Sequence, residues 1–293
     1  DSCVWLQVRD NSSDFKGSAG SPDASYESNS LYAGTQFAIG NWDLVLGFGH
    51  ESNDIKGYSG VWSADGRVLS LGLSAQREFG KKNLAATLFY SDSELDTDRN
   101  LSITAAQRAV SERGNSVFGA GIGVDYDFTQ GNLSINPSLE LGVARIFGDD
   151  ETESGAEGAN LKIAQSKDTL TWLRAGGELS YSFKIGSKSS LRPYLGASLL
   201  EYLSTDTISM KAAFEGAPTS IAPMRANTLL GDTQWYYQAG FEFLNMKSNI
   251  RIRLNYQKQD HGRFENEALS ASFTTGKMCF WCALEASSGT TPP

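Results

Sequence analysis

From Phe118 to Phe128 the chain switches between apolar and small or polar residues at every step. Phe118, Ala120, Ile122, Val124, Tyr126 and Phe128 share one parity, and Gly119, Gly121, Gly123, Asp125 and Asp127 share the other. Strand side chains point alternately to opposite faces, so the segment has one greasy face and one small, polar face. The pattern recurs about twelve times. It predicts an all-β fold: a twelve-stranded antiparallel up-and-down transmembrane β-barrel with lipid outside and water inside.

Bulk composition is compatible with that reading. The 293 residues are 40% hydrophobic, and the mean hydropathy of −0.32 resembles that of a soluble protein. A membrane barrel can look so polar because only every second strand residue meets lipid. No run of about 18 apolar residues exists, which excludes a transmembrane helix. A net charge of −9 without a basic stripe argues against nucleic acid. The three cysteines, Cys3, Cys279 and Cys282, imply no disulfide framework. The chain starts at Asp1 without a signal peptide, and an outer-membrane protein must be exported, so a longer precursor is expected.

Twelve strands are expected near 3-9, 30-39, 42-52, 67-79, 83-95, 115-128, 132-146, 169-184, 190-204, 233-244, 249-258 and 268-281. Short turns fall at Gly40-Asn41, Gly80-Asn83, Gln130-Asn132, Gly186-Ser190 and Asn245-Ser248, with residues suited to tight hairpins. Long loops cover about 10-29, 53-66, 96-114, 147-168, 205-232 and 259-267. Short periplasmic turns and long extracellular loops are the usual arrangement of outer-membrane barrels. Residues 1-280 are expected to form the barrel, and the polar, Pro-ended residues 281-293 a disordered tail.

The alternation assigns Leu44, Leu46, Phe48, Leu69, Leu71, Leu73, Leu139, Leu141, Val143, Leu179, Ile250, Ile252 and Leu254 to lipid. The opposite face carries Glu51, Glu78, Asp125, Glu140, Arg174, Glu178, Arg192, Glu242, Arg251 and Arg253. An Arg or Lys facing lipid at the bilayer midplane costs about 2–4 kcal/mol, so these charges should line the lumen. Aromatic girdles are expected at both strand ends. Phe79, Tyr126, Phe128, Tyr181, Phe183, Phe241 and Phe243 would serve the short turns, and Phe118, Phe147, Trp172, Tyr202 and Trp235 the long loops. A soluble barrel also alternates, but twelve long strands would enclose more space than a Gly- and Ser-rich inner face could fill.

The order of short motifs resembles the translocator β-domain of bacterial autotransporters, the type V secretion system. Val4-Trp5-Leu6-Gln7 is similar to that family's first strand. Glu157-Gly158-Ala159, Leu161, and the strand through Leu173, Gly176, Glu178 and Leu179 resemble its middle. The most specific piece is Ala213-Phe214-Glu215-Gly216-Ala217-Pro218, followed at family-like spacing by Gly240-Phe241-Glu242 and Leu254-Asn255-Tyr256. The resemblance implies a monomeric barrel in the Gram-negative outer membrane, among lipid and lipopolysaccharide, that helps export an N-terminal passenger. It also implies an α-helical linker threading the lumen and the barrel-assembly machinery as helper. Phe280 would hold the place of the terminal aromatic that this machinery reads. Two departures stand out: no helix precedes strand one, so linker and passenger are expected to lie upstream or to have been removed, and Phe280 is followed by Trp281 to Pro293. A stand-alone porin is the alternative.

No catalytic set emerges. Ser/His and Asp/His enzymes exist among outer-membrane barrels, but His50 and His261 lie scattered and read as solvated loop residues. Cys279-Phe280-Trp281-Cys282 supplies only two of the four ligands of a structural zinc site, so accident or a local disulfide between them is expected. Gly119, Gly121 and Gly123 imitate a dinucleotide fingerprint, but no helix follows, and they read as small residues on a crowded inner wall. The acidic run Asp149-Asp150-Glu151 reads as solvated charge, with cations bridging lipopolysaccharide as the sharper option. No cofactor and no metal are implied.

Overall fold

The computed structural model describes residues 2–16, 23–57, 60–101, 107–204, 207–215, 224–229, 233–261 and 264–276. Twelve long strands form the wall: β1 (Ser2–Phe15), β2 (Ala24–Ile39), β3 (Trp42–Gly57), β4 (Trp62–Phe79), β5 (Lys82–Leu101) and β6 (Gln107–Tyr126), then β7 (Leu133–Gly148), β8 (Ser166–Tyr181), β9 (Ser189–Tyr202), β10 (Thr233–Asn245), β11 (Ile250–His261) and β12 (Phe264–Gly276). Each pairs antiparallel with its sequence neighbours, and β1 pairs with β12 from Cys3–Gly276 to Phe15–Phe264. That last pairing closes the sheet, which removes every edge and satisfies the backbone in lipid.

Tight turns join the strands at one end. Gly40, at φ +62°, leads the turn between β2 and β3, and Asn249, at φ +50°, closes the one between β10 and β11. Both residue types tolerate positive φ, which a two-strand reversal of this hand requires. Asn245 Oδ1 also accepts the backbone N–H groups of Lys247 (3.0 Å) and Ser248 (3.1 Å), fixing that reversal.

The outer surface is apolar. Leu46, Phe48, Leu69, Leu71, Leu73, Leu139, Leu141, Val143, Leu179, Ile252 and Leu254 are all exposed, and Leu44 and Ile250 partly so. An apolar belt of this extent on a folded chain is a surface made for lipid. The inner face holds small and polar groups, among them buried Ser28, Ser30, Gln36, Gln76 and Ser91. The glycine row of β6 is crowded only at Gly119, where the Phe89 ring fills the space a side chain would need; Gly121 and Gly123 have only ordinary contacts.

At the long-loop end the strands run well beyond their expected limits. β5 and β6 stay paired from Lys82–Tyr126 to Leu101–Gln107, although 96-114 reads as loop in the sequence. About 9–11 residues suffice to cross the hydrocarbon, so nearly half of this hairpin stands in water. There both faces are polar, alternation vanishes, and ion pairs such as Arg108–Asp98 and Arg67–Glu94 support the strands instead.

The loops at 147-168 and 205-232 also contain unexpected structure. Glu151–Thr152, Leu161–Ile163, Thr207–Phe214 and Met224–Leu229 form a separate four-stranded antiparallel sheet. Two motif pieces far apart in sequence meet in it: Leu161 pairs with Phe214, and the Glu215 N–H donates to Asn160 O at 2.7 Å. Asn160 Nδ2 (3.3 Å) and then Lys162 (3.4 Å) hold the Glu215 carboxyl below the usual carboxylate range. Gly216-Ala217-Pro218 lie outside the described residues. Of the acidic run, Asp149 and Asp150 are exposed, but Glu151 is buried beneath the hairpin, with Thr97 Oγ1 3.5 Å away. It is a packing residue and not part of a solvated charge run, because the sheet folds it inward.

Arg99 of β5 clamps this sheet to the barrel through Glu153 and through a 2.9 Å bond to Ala159 O, while Glu153 Oε2 accepts the Leu161 N–H at 2.7 Å. Hydrogen bonds to charged groups contribute about 1.5–3 kcal/mol each. Glu153→Ala is therefore expected to free the sheet without unfolding the barrel. Protease added to intact cells should then cut between 153 and 166 several-fold faster than in the parent. An unchanged cutting rate would show that the clamp is not what holds the sheet.

Candidate functional site

Charges on the inner face gather on one wall, made by β7 to β11. The register places Arg192 opposite Glu242, Glu242 opposite Arg253, and Arg174 opposite Glu140. The side chains form an alternating chain. Arg251 Nε lies 3.7 Å from Glu242, which is 3.1 Å from Arg192. Arg192 in turn is 3.9 Å from Glu178, which is 3.0 Å from Arg253. Arg174 lies 3.8 Å from Glu140, which also accepts Trp172 Nε1 at 3.2 Å. Four arginines against three glutamates leave this wall with one excess positive charge. Each carboxylate is shared, so no single pair is free to swing into the lumen alone.

Aromatic rings hold the arginines. Arg253 sits 4.0 Å over the ring of Tyr194, donates to its hydroxyl at 2.8 Å, and leaves that hydroxyl to donate to Asn255 Oδ1 at 3.0 Å. Arg174 lies 5.0 Å over Tyr236. Guanidinium planes stacked on rings lose little rotamer freedom on making further hydrogen bonds. The wall is thus a rigid array of donors and acceptors, suited to a partner carrying both signs of charge.

Of the ten inner-face residues predicted from the sequence, seven meet here: Glu140, Arg174, Glu178, Arg192, Glu242, Arg251 and Arg253. The other three stand apart. Glu51, on β3, accepts hydrogen bonds from Tyr26, Ser30 (2.9 Å) and Tyr32 (3.4 Å). Asp125 accepts Asn83 Nδ2 at 2.7 Å near a short turn, and Glu78 is exposed at the short-turn rim, two residues before Gly80.

Several expectations are corrected. Trp172 and Tyr202 do not belong to the outer girdle: they pair with each other across β8 and β9, in phase with inward Arg174 and Leu200. Nearness to a strand end suggests a girdle, but parity decides the face, and Trp172 stands two residues from Arg174. Tyr194, Tyr236 and Asn255 belong to this wall too and are missed by the sequence reading, although the same parity places them inward. His50 sits in β3, within the strand expected at 42-52, and is exposed on the outer face between Leu31 and Leu69. The side chain of His261 and all of Phe280 lie outside the described residues. Among the described residues no group of three or more His, Cys, Asp or Glu could hold a metal. Cys3 is disulfide-bonded, which the sequence reading does not predict, and Cys279 and Cys282 lie outside the described residues.

The family described as Autotransporter beta-domain matches residues 4–257. No curated protein sequence matches the chain. Among solved structures, the translocator domain of autotransporter NalP from Neisseria meningitidis is similar with a TM-score of 0.73 at 13% identity, covering 94% of this chain and 88% of that one. The beta domain of the Bordetella autotransporter BrkA gives 0.63 at 11% identity, covering 94% and 98%. The transport unit of AIDA-I from Escherichia coli gives 0.55 at 13% identity, covering 92% and 88%.

Proposed function

The chain belongs to the autotransporter β-domain family, and we propose that its barrel guides a passenger to the cell surface by seating an α-helical linker on the charged wall of β7 to β11. As a member of that family it is a translocator barrel of the Gram-negative outer membrane. The observation that supports the linker contact is the alternating chain Arg251, Glu242, Arg192, Glu178 and Arg253. A helix carrying both signs of charge finds complementary groups there already desolvated and held in place, so little ordering cost remains at binding. In this reading the barrel acts as a monomer, and the barrel-assembly machinery reads Phe280 when the chain is inserted.

Planar-bilayer conductance tests it. The barrel alone is expected to conduct ions, and the same barrel extended upstream by its linker to conduct several-fold less. Arg253→Ala in the extended protein should restore part of the conductance by loosening the seat. Equal conductance with and without the linker would favour an open porin.

A further inference from the structure

An arginine stands on the lipid-facing surface at the short-turn end. Arg77 shares the parity of Leu69, Leu71 and Leu73 on β4 and comes three residues before Gly80. A charge there is tolerated because it lies near the interface, whereas at the midplane it would be strongly unfavourable. Two rings hold it: its Cζ lies 4.7 Å over the centroid of Phe79 and 5.6 Å over that of Trp42. Phe79 is on β4 itself, and Trp42 opens β3 in step with outward Leu44 and Leu46. Ring contacts of this kind use no hydrogen-bond acceptor, so the N–H groups of the guanidinium are left for one. Lys82 is the diagonal neighbour: it pairs with Phe79, while Arg77 pairs with Leu84. Diagonal positions on adjacent strands are about 7–8 Å apart, so two long side chains can share one acceptor. Lys82 is exposed, as is Lys81 in the adjoining turn. The carboxylates of this end lie elsewhere. Asp43, Glu78 and Asp125 take the inward parity, Asp125 is engaged by Asn83 at 2.7 Å, and Asp127 accepts Thr129 Oγ1. Among the described residues no carboxylate forms an ion pair with Arg77, Lys81 or Lys82. By contrast Arg67 and Arg108, outward at the long-loop end, are paired with Glu94 and Asp98.

We propose that Arg77 and Lys82, framed by Trp42 and Phe79, bind the phosphate of an anionic glycerophospholipid in the periplasmic leaflet. A guanidinium fixed by rings beside a mobile ammonium offers both ways in which side chains take phosphate, the planar fork and the point charge. The rings belong to the aromatic girdle, so the site lies at headgroup depth. A phospholipid carries its phosphate at that depth and lays its acyl chains along Leu44, Leu73 and Leu84, all of outward parity. Two cations, with Lys81 as a third beside them, favour a headgroup of net negative charge over a zwitterionic one. The bound lipid sets the depth at which the short-turn end of β3 to β5 sits in the bilayer.

The test places the barrel in phosphatidylethanolamine vesicles containing a minor share of phosphatidylglycerol with a photoactivatable headgroup. Crosslinks are expected to concentrate at Trp42 and within residues 77–84. Unlabelled phosphatidylglycerol should suppress them several-fold more than added phosphatidylethanolamine does. The Arg77→Ala/Lys82→Ala pair should lower the yield there several-fold, and Arg77→Lys less, since lysine keeps the charge and loses the fork. Arg145→Ala, on the outer face near the long loops, should leave the yield at 77–84 unchanged. Heat-modifiable migration on gels identifies the folded barrel in each case. Crosslinks spread evenly over the strand ends, equal competition by the zwitterionic lipid, or an unchanged yield in the folded double variant would each overturn the proposal. The crosslink map and the competition are read on the parent protein, so they stand even if the double variant fails to fold.

Discussion

Arginine in place of Ile122 or Leu141 is expected to prevent most of the chain from reaching the folded, membrane-inserted state. The two residues pair across β6 and β7, and both are exposed on the apolar belt. A charge facing lipid near the midplane costs about 2–4 kcal/mol, a large share of the roughly 5–15 kcal/mol that typically separates folded from unfolded protein. Gly121→Ser, one residue away but on the inner face, should assemble like the parent. A side chain there meets nothing closer than Leu141 O at 3.6 Å. Heat-modifiable migration on gels reports the folded fraction of all three variants. Normal assembly of the arginine variants with failure of the serine variant would mean that the two faces are assigned the wrong way round.

Gly240→Ala should destabilise the barrel by about 1–3 kcal/mol, because overpacking of this size forces neighbours off their positions. The added methyl group would collide with Leu254 O, which is backbone, and with the hydroxyl and ring of Tyr194. Displacing Tyr194 removes the hydroxyl that accepts from Arg253 and the ring beneath it, so the charged wall loosens as well. Gly72→Ala is the matched comparison. It lies on the inner face of β4 with nothing within 4 Å, so its effect should stay within about 0.5 kcal/mol. Urea midpoints of barrel refolded into lipid vesicles measure both changes. Equal midpoints would show that Tyr194 swings into the lumen at no cost. The weak Gly240-Phe241-Glu242 motif thereby acquires a physical reason: no room at 240, lipid at 241, and a shared carboxylate at 242.

Faces and turns are legible in the sequence because they depend on local rules. Strand side chains repeat every two residues, so Leu69, Leu71 and Leu73 have to share a face, and Arg251 and Arg253 have to take the other. Gly40 and Asn249 mark reversals through their tolerance of positive φ. The same parity rule holds the correct placement of Trp172, yet a cruder cue, nearness to a strand end, points elsewhere. Where strands leave the membrane the rule has nothing to act on, since β5 and β6 beyond Asp96 carry mostly polar residues on both faces and the surface sheet covers part of one of them. That is why an extended hairpin reads as a loop.

What stands beside what is decided only by the tertiary structure. Glu178 and Arg253 are 75 residues apart, and parity says that both face inward without saying that they touch. Their meeting follows from the hydrogen-bonded registers of β8 with β9, β9 with β10, and β10 with β11, and a slip in any one of them would part them. Asn160 and Glu215 meet because two surface loops share one sheet. Cys3 and Gly276 meet because the last strand closes on the first. Periodicity along a chain assigns a residue to a face; contact between distant residues is set by the register of backbone hydrogen bonds between strands, which no local pattern encodes.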